Sequence, residues 1–574
     1  MKIMKTKRIL FPIAIAAMTA FCACDRMDYN EYAIYDKDFI SLNFGNIGGF
    51  MTDLYNAVDY DFGNYSDGAF RGSATDESVF SHAGNGIEDF FNGGWSPANP
   101  KSAEWRNMYT AITTANKFLE EFQGLNFDEL KLNADYAGQM NRYQNYKYEA
   151  RFLRAYYYFV LVRQYGGVPL IDHVMPASEA NALSRNSSDE IFAFIIKECN
   201  EIKDLIIKDY FDLGDLSLGQ PENGRANDLA VLALRSRAAL YWASPLFNPE
   251  NDQTRWLTAA TYAKELIDAA TARGKGLISD YGKLWSSNAV ADAANEILFS
   301  RRYYKDANGD NIVETNNYPV GIEGGSGGNC PTQNLVEAYD MTNGQPANSS
   351  NPLYNAAKPW ANLDPRFDLT IAKNGDKWPT YSGAKALEIF QGGVNGAPIV
   401  GATTTGYYLK KLCNGAISLA ANSKNKVSKH LYLNFRMGEA YLNLAEAMYH
   451  LTGSADGVQG SLNISARKAA SMTRTRVGMP EIAGNGDAFW QNLQKERQVE
   501  LAFEGHRFWD VRRWKQGGDF FRTIKLMNIT RNADGSFSYK VTTQSREWDE
   551  KMNFYPIPQT EIAKNPNLQQ NAGW

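Results

Sequence analysis

Cysteine is scarce in this chain, with five in 574 residues. Two of them, Cys22 and Cys24, lie near the start. The other three, Cys199, Cys330 and Cys413, are far apart and odd in number, with no CxxC pair. That excludes a disulfide framework and a structural metal held by sulfur. Basic charge is not in excess either: 59 Lys and Arg stand against 64 Asp and Glu, a net charge of -5. An acidic chain lacks the footprint that nucleic acid requires. Long apolar runs are missing as well. "ILFPIAIAAMTAF", Ile9 to Phe21, is 13 residues, too short for the ~20 that span a bilayer as a helix. No HExxH or P-loop GxxxxGK[ST] occurs, and no nucleophile elbow is expected. "GIEGGSGGNC" (321–330) reads as a flexible loop.

What is present begins with a leader. Lys2, Lys5, Lys7 and Arg8 precede the apolar run, and "CACDRMDYNEY" follows it. A basic head, a short apolar segment and a cysteine after a small residue form the pattern of a bacterial lipoprotein signal. Ala23 makes Cys24 a better lipid acceptor than Cys22, which follows Phe21. Removing residues 1–23 takes away four positive charges and no negative ones, moving the net charge from -5 to -9.

Helical blocks then alternate with long irregular stretches. From Ser102 to Phe122, Trp105, Tyr109, Ile112, Asn116 and Leu119 recur at helical spacing. "NYKYEARFLRAYYYFVLVRQYGGVPL" is one helix stopped by Gly166-Gly167, with Pro169 beyond. A helix capped by Ser187 or Ser188 follows. "RANDLAVLALRSRAALYWAS", "TRWLTAATYAKELIDAATARG" and "LYLNFRMGEAYLNLAEAMYHLTG" also read as helices, and "ERQVELAFEGHRFWDVRRWK" is the last long one. Alanines at 150, 155, 238, 239, 259, 260, 263, 440, 445 and 447 leave room for a neighbour's rings. The pattern predicts a mainly α chain of about four tetratricopeptide-like helical hairpins, although no strict ~34-residue period survives. Residues 61–98 and 302–430 are rich in Gly, Asn, Asp and Ser and predict long, functional loops.

Four stretches resemble the SusD/RagB family of outer-membrane lipoproteins: "ARFLRAYYYFVLVRQYGGVPLI" (150–171), "RANDLAVLALRSRAALYWA" (225–243), "ERQVELAFEGHRFWDVRRWK" (496–515) and "FYPIPQTEIAKNPNLQQNAGW" (554–574). "LDPRFDLTI" (363–371), "TGYYLKKL" (405–412) and "FRMGEAYLNLAEA" (435–447) add to them. The resemblance implies a SusD-like α/α superhelix with a loop-rich, irregular C-terminal half. It also implies a non-enzymatic, cell-surface glycan binder in the outer membrane, lipid-anchored at Cys24 and partnered by a SusC-like TonB-dependent transporter. A RagB-like peptide binder is the alternative. The expected organisation is a signal peptide at 1–23, an N-terminal helical region at 24–300 and a C-terminal region at 301–574, the last two forming one intertwined unit.

The stretch 496–515 holds the ingredients of acid–base chemistry. Its i,i+3 and i,i+4 spacings (Glu504 with Arg507, His506 with Asp510) predict instead that its charges satisfy one another, in a structural network. Glycan recognition needs rings that stack on sugar C–H faces and Asp, Asn or Arg for the hydroxyls. Trp95, between Gly93-Gly94 and Ser96-Pro97, is expected to stand exposed as the main stacking ring. Tyr65, Asp67 and Arg71 join it from the same loop, and Tyr304 and Tyr318 from the loop after "EILFS". Trp360, Trp378 and Tyr381 are outer candidates, and Arg366 is expected to be structural. No cofactor is expected; Asp306, Asp310 and Glu314 form a polar turn with suggestive spacing for calcium, short of an EF-hand.

Overall fold

The structure, a computed structural model, describes residues 37–58, 65–210, 224–302 and 308–574. The leader with Cys22 and Cys24, and also Tyr304 and Asp306, lie outside the described residues. No helix among the described residues is long and apolar enough to cross a membrane.

The N-terminal part is a run of helices: α1 (Phe44–Tyr55), α2 (Glu104–Glu121), α3 (Tyr136–Tyr165), α4 (Ser188–Ile202), α5 (Asp228–Ala243) and α6 (Gln253–Thr271). Four of these six starts have a side-chain cap. The Asn43, Asn227 and Asp252 side chains accept the first free backbone N–H groups, and Ser187 forms a capping box with Glu190. The two glycines that end α3 do different jobs. Gly166 has a φ of 73°, which glycine adopts without Cβ strain. At Gly167 a Cβ would stand 2.2 Å from the Asn186 carbonyl oxygen.

Further on come α7 (Met437–Thr452), α8 (Ala466–Arg476), α9 (Gly486–Glu500) and α10 (Arg507–Arg513). From α2 to α9 each helix packs on the next in the chain, α7 resting on α6 across the intervening loops. That is the predicted stack of hairpins. The alanines singled out from the sequence are all buried at these contacts, where small side chains let helices approach closely.

Among the described residues, four two-stranded ribbons complete the fold. β1 (Ser78–Phe80) pairs with β3 (Asn329–Pro331), and β2 (Ile297–Arg302) with β6 (Leu431–Arg436). β4 (Ile371–Ala372) pairs with β5 (Tyr408–Leu409), and β7 (Thr523–Arg531) with β8 (Phe537–Ser545). β6 corrects one expectation. The block beginning at Leu431 is not helical from its start; its first six residues form a strand buried on both faces, and the helix begins at Met437.

The charged stretch 496–515 is structural, but its partners are not the expected ones. Arg366, fully buried, donates to Asp364 at 2.7 Å, Glu496 at 2.6 Å and Glu500 at 2.8 Å. Arg436 pairs with Glu296 at 2.9 Å and with Glu500 and Glu504, each at 2.7 Å. Lys411 also holds Glu504, at 2.8 Å. Arg507 reaches Asp76 at 2.7 Å, not Glu504. Asp510 takes Arg497 at 2.7 Å and Arg513 at 2.9 Å, whereas its link to His506 is a backbone hydrogen bond of the helix. Burial among arginines pushes the His506 imidazole well below its usual range, so it stays neutral. Burial pushes the Glu500 carboxyl up, but Arg476, Arg436 and Arg366 outweigh it and hold it well below the carboxylate range.

Removing one member of such a network strands the others in a medium that solvates them poorly. Arg366→Met is expected to lower unfolding free energy by about 3–5 kcal/mol. A urea titration showing less than about 1 kcal/mol would mean the network is not coupled.

Candidate functional site

The two loops named from the sequence do meet. β1, in the first loop, pairs with β3, which lies within the second. Asn329 pins the seam: its Oδ1 accepts the Phe70 N–H at 2.7 Å and the Ser73 hydroxyl at 2.9 Å, and its Nδ2 donates to the Gly68 carbonyl at 3.0 Å and Asn317 Oδ1 at 2.9 Å. The first loop is also clasped from the far end of the chain. Arg507 grips Asp76, the Arg546 Nη1 donates to the Thr75 carbonyl at 2.8 Å, and Glu77 Oε1 accepts the Phe503 N–H at 2.9 Å. Phe503 holds that position with a φ of 59°, a conformation that costs a residue with a Cβ of order 1–2 kcal/mol.

The predicted residues separate into two groups. Tyr65, Arg71 and Trp95 come together, but in a buried cluster rather than on a surface. Trp95 is only 4% exposed. Its ring lies edge-to-face on Phe90 at 4.6 Å, Tyr555 at 4.7 Å and Trp574 at 4.9 Å, and its Nε1 donates to the Pro100 carbonyl. The expectation that Trp95 stands free is corrected: rings from the C-terminal segment cover it. Arg71 is 1% exposed, with its guanidinium 5.0 Å from the ring centres of both Tyr65 and Trp509; it is packed away from any ligand. Tyr318 is corrected likewise. It is fully buried, and its hydroxyl donates to the Asn414 carbonyl at 2.6 Å. Asp67 is exposed at a φ of 46°, and Tyr65 is half-buried with a hydroxyl that has no hydrogen-bond partner.

The remaining expectations can be placed in the same way. Trp360 and Trp378 are buried, while Tyr381 is half-buried. Glu314 is turned inward, accepting the Asn414 N–H at 2.7 Å and contacting His430 at 2.9 Å. Among the described residues, no group of three or more His, Cys, Asp and Glu is arranged to hold a metal. One sequence reading needs correction: Gly324-Gly325-Ser326-Gly327-Gly328 does spell GxSxG. Ser326 is no nucleophile, however. Its hydroxyl donates to the Thr315 carbonyl at 3.0 Å, it precedes a strand instead of following one, and His82 contacts its carbonyl rather than its hydroxyl.

Clefts open around the ring cluster. The first, about 760 Å³, lies between the end of α1 and the start of α2. Leu54, Val58, Met108 and Ala111 give it an apolar floor. Tyr65, Ser66, Lys101, Glu104, Asn107 and Thr110 give it hydroxyl, ammonium, carboxylate and amide groups. Lys101 is steadied by Asp89 at 2.9 Å, and Glu104 lies 3.8 Å from Arg71. A second cleft, about 530 Å³, is walled by Phe80, Phe91, Glu88, Asn92 and Arg546. The third, about 420 Å³, runs from Gly93 and Trp95 to Arg546 and Met552. Apart from Tyr65 and Trp95, the residues lining these clefts were not singled out from the sequence. Many sit on regular elements or come from the C-terminal segment, where composition marks nothing.

Comparison with known proteins places the chain among relatives of matching length. A sequence model described as "SusD family" matches residues 295–574, and one described as "Starch-binding associating with outer membrane" matches residues 51–240. The SusD-like protein P2 of Formosa agariphila is 24% identical over 480 residues, 82% of this chain and 80% of that protein. The starch-binding protein SusD of Bacteroides thetaiotaomicron is 24% identical over 543 residues, 87% of this chain and 84% of that one. The crystal structure of a SusD-like protein from Bacteroides fragilis superposes with a TM-score of 0.75 at 25% identity, covering 95% of this chain and 99% of that one.

Burial raises the Glu77 carboxyl from 4.5 to about 7, against the pull of the Phe503 N–H and Lys411. The fold therefore favours the protonated form, and stability falls as pH rises from about 4.5 to about 7. Glu77→Gln keeps the acceptor and removes the charge. Its stability relative to wild type is expected to rise by up to about 3 kcal/mol between pH 5 and pH 8. Equal differences at both pH values in denaturant titrations would show that Glu77 is ionised throughout.

Proposed function

Since the chain belongs to the SusD/RagB family, we propose that it captures an oligosaccharide or polysaccharide at the outer-membrane surface and passes it to a SusC-like TonB-dependent transporter. The observation that carries this reading is the 760 Å³ cleft beside Tyr65. Pockets that take apolar ligands are lined mainly by hydrophobic groups with a few polar ones. Here an apolar floor is bordered by Ser66, Lys101, Glu104, Asn107 and Thr110, which suits a ligand with C–H faces and many hydroxyls. A carboxylate accepts sugar O–H groups, an ammonium donates to sugar oxygens, and an amide does both. The role is capture rather than hydrolysis, in keeping with relatives named for starch binding. Lipidation at Cys24 would hold the body at the surface, and its acidic charge would keep it off an anionic bilayer.

Calorimetric titration of residues 25–574 against a glycan panel, α-glucans first, is expected to find one class bound in the micromolar range. Asn107, exposed on α2, can be changed without touching the core; Asn107→Ala is expected to weaken that binding about tenfold, roughly 1.4 kcal/mol. Unchanged affinity would exclude the cleft, and binding of peptides with silence across the glycans would overturn the function. Separately, Cys24→Ser is expected to abolish palmitate labelling and release the chain from membranes, with Cys22→Ser having no effect. The reverse result would move the anchor to Cys22.

A further inference from the structure

The β7–β8 ribbon has two edges, and the fold treats them differently. Its register runs unbroken over nine pairs, from Thr523 with Ser545 to Arg531 with Phe537. At the turn the Asn532 N–H donates to the Ser536 carbonyl at 2.8 Å, and at the far end the Arg546 N–H donates to the Arg522 carbonyl at 2.9 Å. In an antiparallel pair, alternate residues exchange backbone bonds with the partner, and those between them turn theirs away. The two end bonds therefore direct Ser538, Lys540, Thr542 and Gln544 toward β7. The backbone groups of Tyr539, Val541, Thr543 and Ser545 point outward.

On β7 the outward groups are met. The Lys525 N–H donates to Asn334 Oδ1 at 2.6 Å and the Met527 N–H to the Thr405 carbonyl at 2.9 Å, while the Ile529 carbonyl accepts the Gln391 N–H at 2.9 Å. On β8 none of the four outward residues makes a backbone hydrogen bond among the described residues. They are not walled in. Val541 is 44% exposed, and Lys540, Thr543, Gln544 and Ser545 are exposed beside it. Ring contacts hold the strand in place, Tyr539 on Trp360 at 4.9 Å and Phe537 on Phe390 at 5.4 Å. Exposed edges are normally blunted by proline, a bulge or several charges. β8 has no proline or bulge, and its single charge is Lys540.

The line of this edge already takes one partner. Two residues past Ser545, the Glu547 N–H donates to the Phe91 carbonyl at 3.0 Å, so the first loop closes the row there. At the other end, beside the turn at Asp534-Gly535, the row is open. Next to the closed end lies the second cleft, whose lining holds the half-buried rings of Phe80 and Phe91 and the carboxylates of Glu88 and Glu547. Neither Lys540 nor Glu547 forms an ion pair among the described residues. One end of the edge is thus negative, and its middle is positive.

We propose that the β8 edge, from Tyr539 to Ser545, docks an extended segment of a partner protein, which joins the ribbon as a third strand. In such an addition backbone bonds give affinity and side-chain pockets give selectivity. Antiparallel addition, the more stable pairing, sets the chemistry of the segment. It carries a basic residue at its N-terminal end toward Glu88 and Glu547, an apolar one beside Phe80 and Phe91, β-branched residues across from Val541 and Thr543, and an acidic one across from Lys540. The row is closed only at the cleft end, so the segment continues past the hairpin turn into the body of its own protein. The edge shares no residue with the Tyr65 cleft, and docking there is additional to saccharide capture.

The probe is the end-capped heptapeptide Lys-Phe-Thr-Val-Thr-Val-Glu, titrated by fluorescence anisotropy against residues 25–574 beside two N-methylated forms. Set antiparallel with its Glu across from Lys540, it turns both Val amides toward β8 and both Thr amides away. Methylating the Val amides is expected to weaken binding at least tenfold, and methylating the Thr amides less than twofold. Exchanging the peptide's Lys and Glu is expected to weaken it about threefold. Val541→Pro removes one outward N–H and spares the bonds to β7, a placement that edge strands tolerate. It is expected to reproduce the tenfold loss at an unchanged melting temperature. No binding, or equal losses from the two methylated forms, overturns the proposal. That comparison uses the wild-type chain, so it decides even where Val541→Pro does not fold. A wild-type dimer in sedimentation equilibrium that Val541→Pro splits also overturns it, because the occupant is then a second copy of this chain.

Discussion

The structure depends on a buried exchange of charge. Arg366 and Arg436 bind Glu496, Glu500 and Glu504, with Glu296, Asp364, Lys411 and Arg476 completing the set. Desolvating so many ionised groups is unfavourable unless each finds several partners. Here those partners come from the turn before β2, from β6, α8 and α9, and from the segments holding Asp364 with Arg366, Lys411 and Glu504. The network adds to the apolar cluster that joins the loop-rich half to Val499, Ala502 and Phe503, and it fixes one arrangement because its carboxylates are shared between segments distant in the chain.

The same logic sets the character of the loop at residues 65–99. Long loops usually carry function through mobility, yet residues 65–99 are held by Asn329 on one side and by Asp76, Glu77 and Thr75 on the other. The clefts around Tyr65, Phe91 and Trp95 therefore have walls fixed before a ligand arrives. Preorganised walls reduce the ordering cost of binding a flexible glycan.

The helices were legible because their signals are local. Ser187 with Glu190, Gly166-Gly167 and the alanine stripes mark ends and contacts within a few residues. β6 was misread because it is buried on both faces and shows no alternation. The β7–β8 hairpin passed unnoticed, although Asp534-Gly535 with alternating "SYKVTTQ" beyond it is a turn signal. The site was the least legible part. Glycines and a proline around Trp95 announce a turn, not the side on which its ring falls. That was decided by Tyr555 and Trp574, more than 400 residues away in the sequence. The 496–515 charges looked self-sufficient for the same reason: spacing shows which partners are possible, and only the fold shows which are used.

The clasp on the first loop has a bearing on biogenesis. Its hydrogen bonds link residues 426, 431 and 471 positions apart. A chain that crosses a membrane N-terminus first can build its early helices from local contacts, which form quickly. Residues 65–99 must wait for Phe503, Arg507 and Arg546 to emerge. Until then the early helices can form while the walls of the clefts beside residues 65–99 stay incomplete.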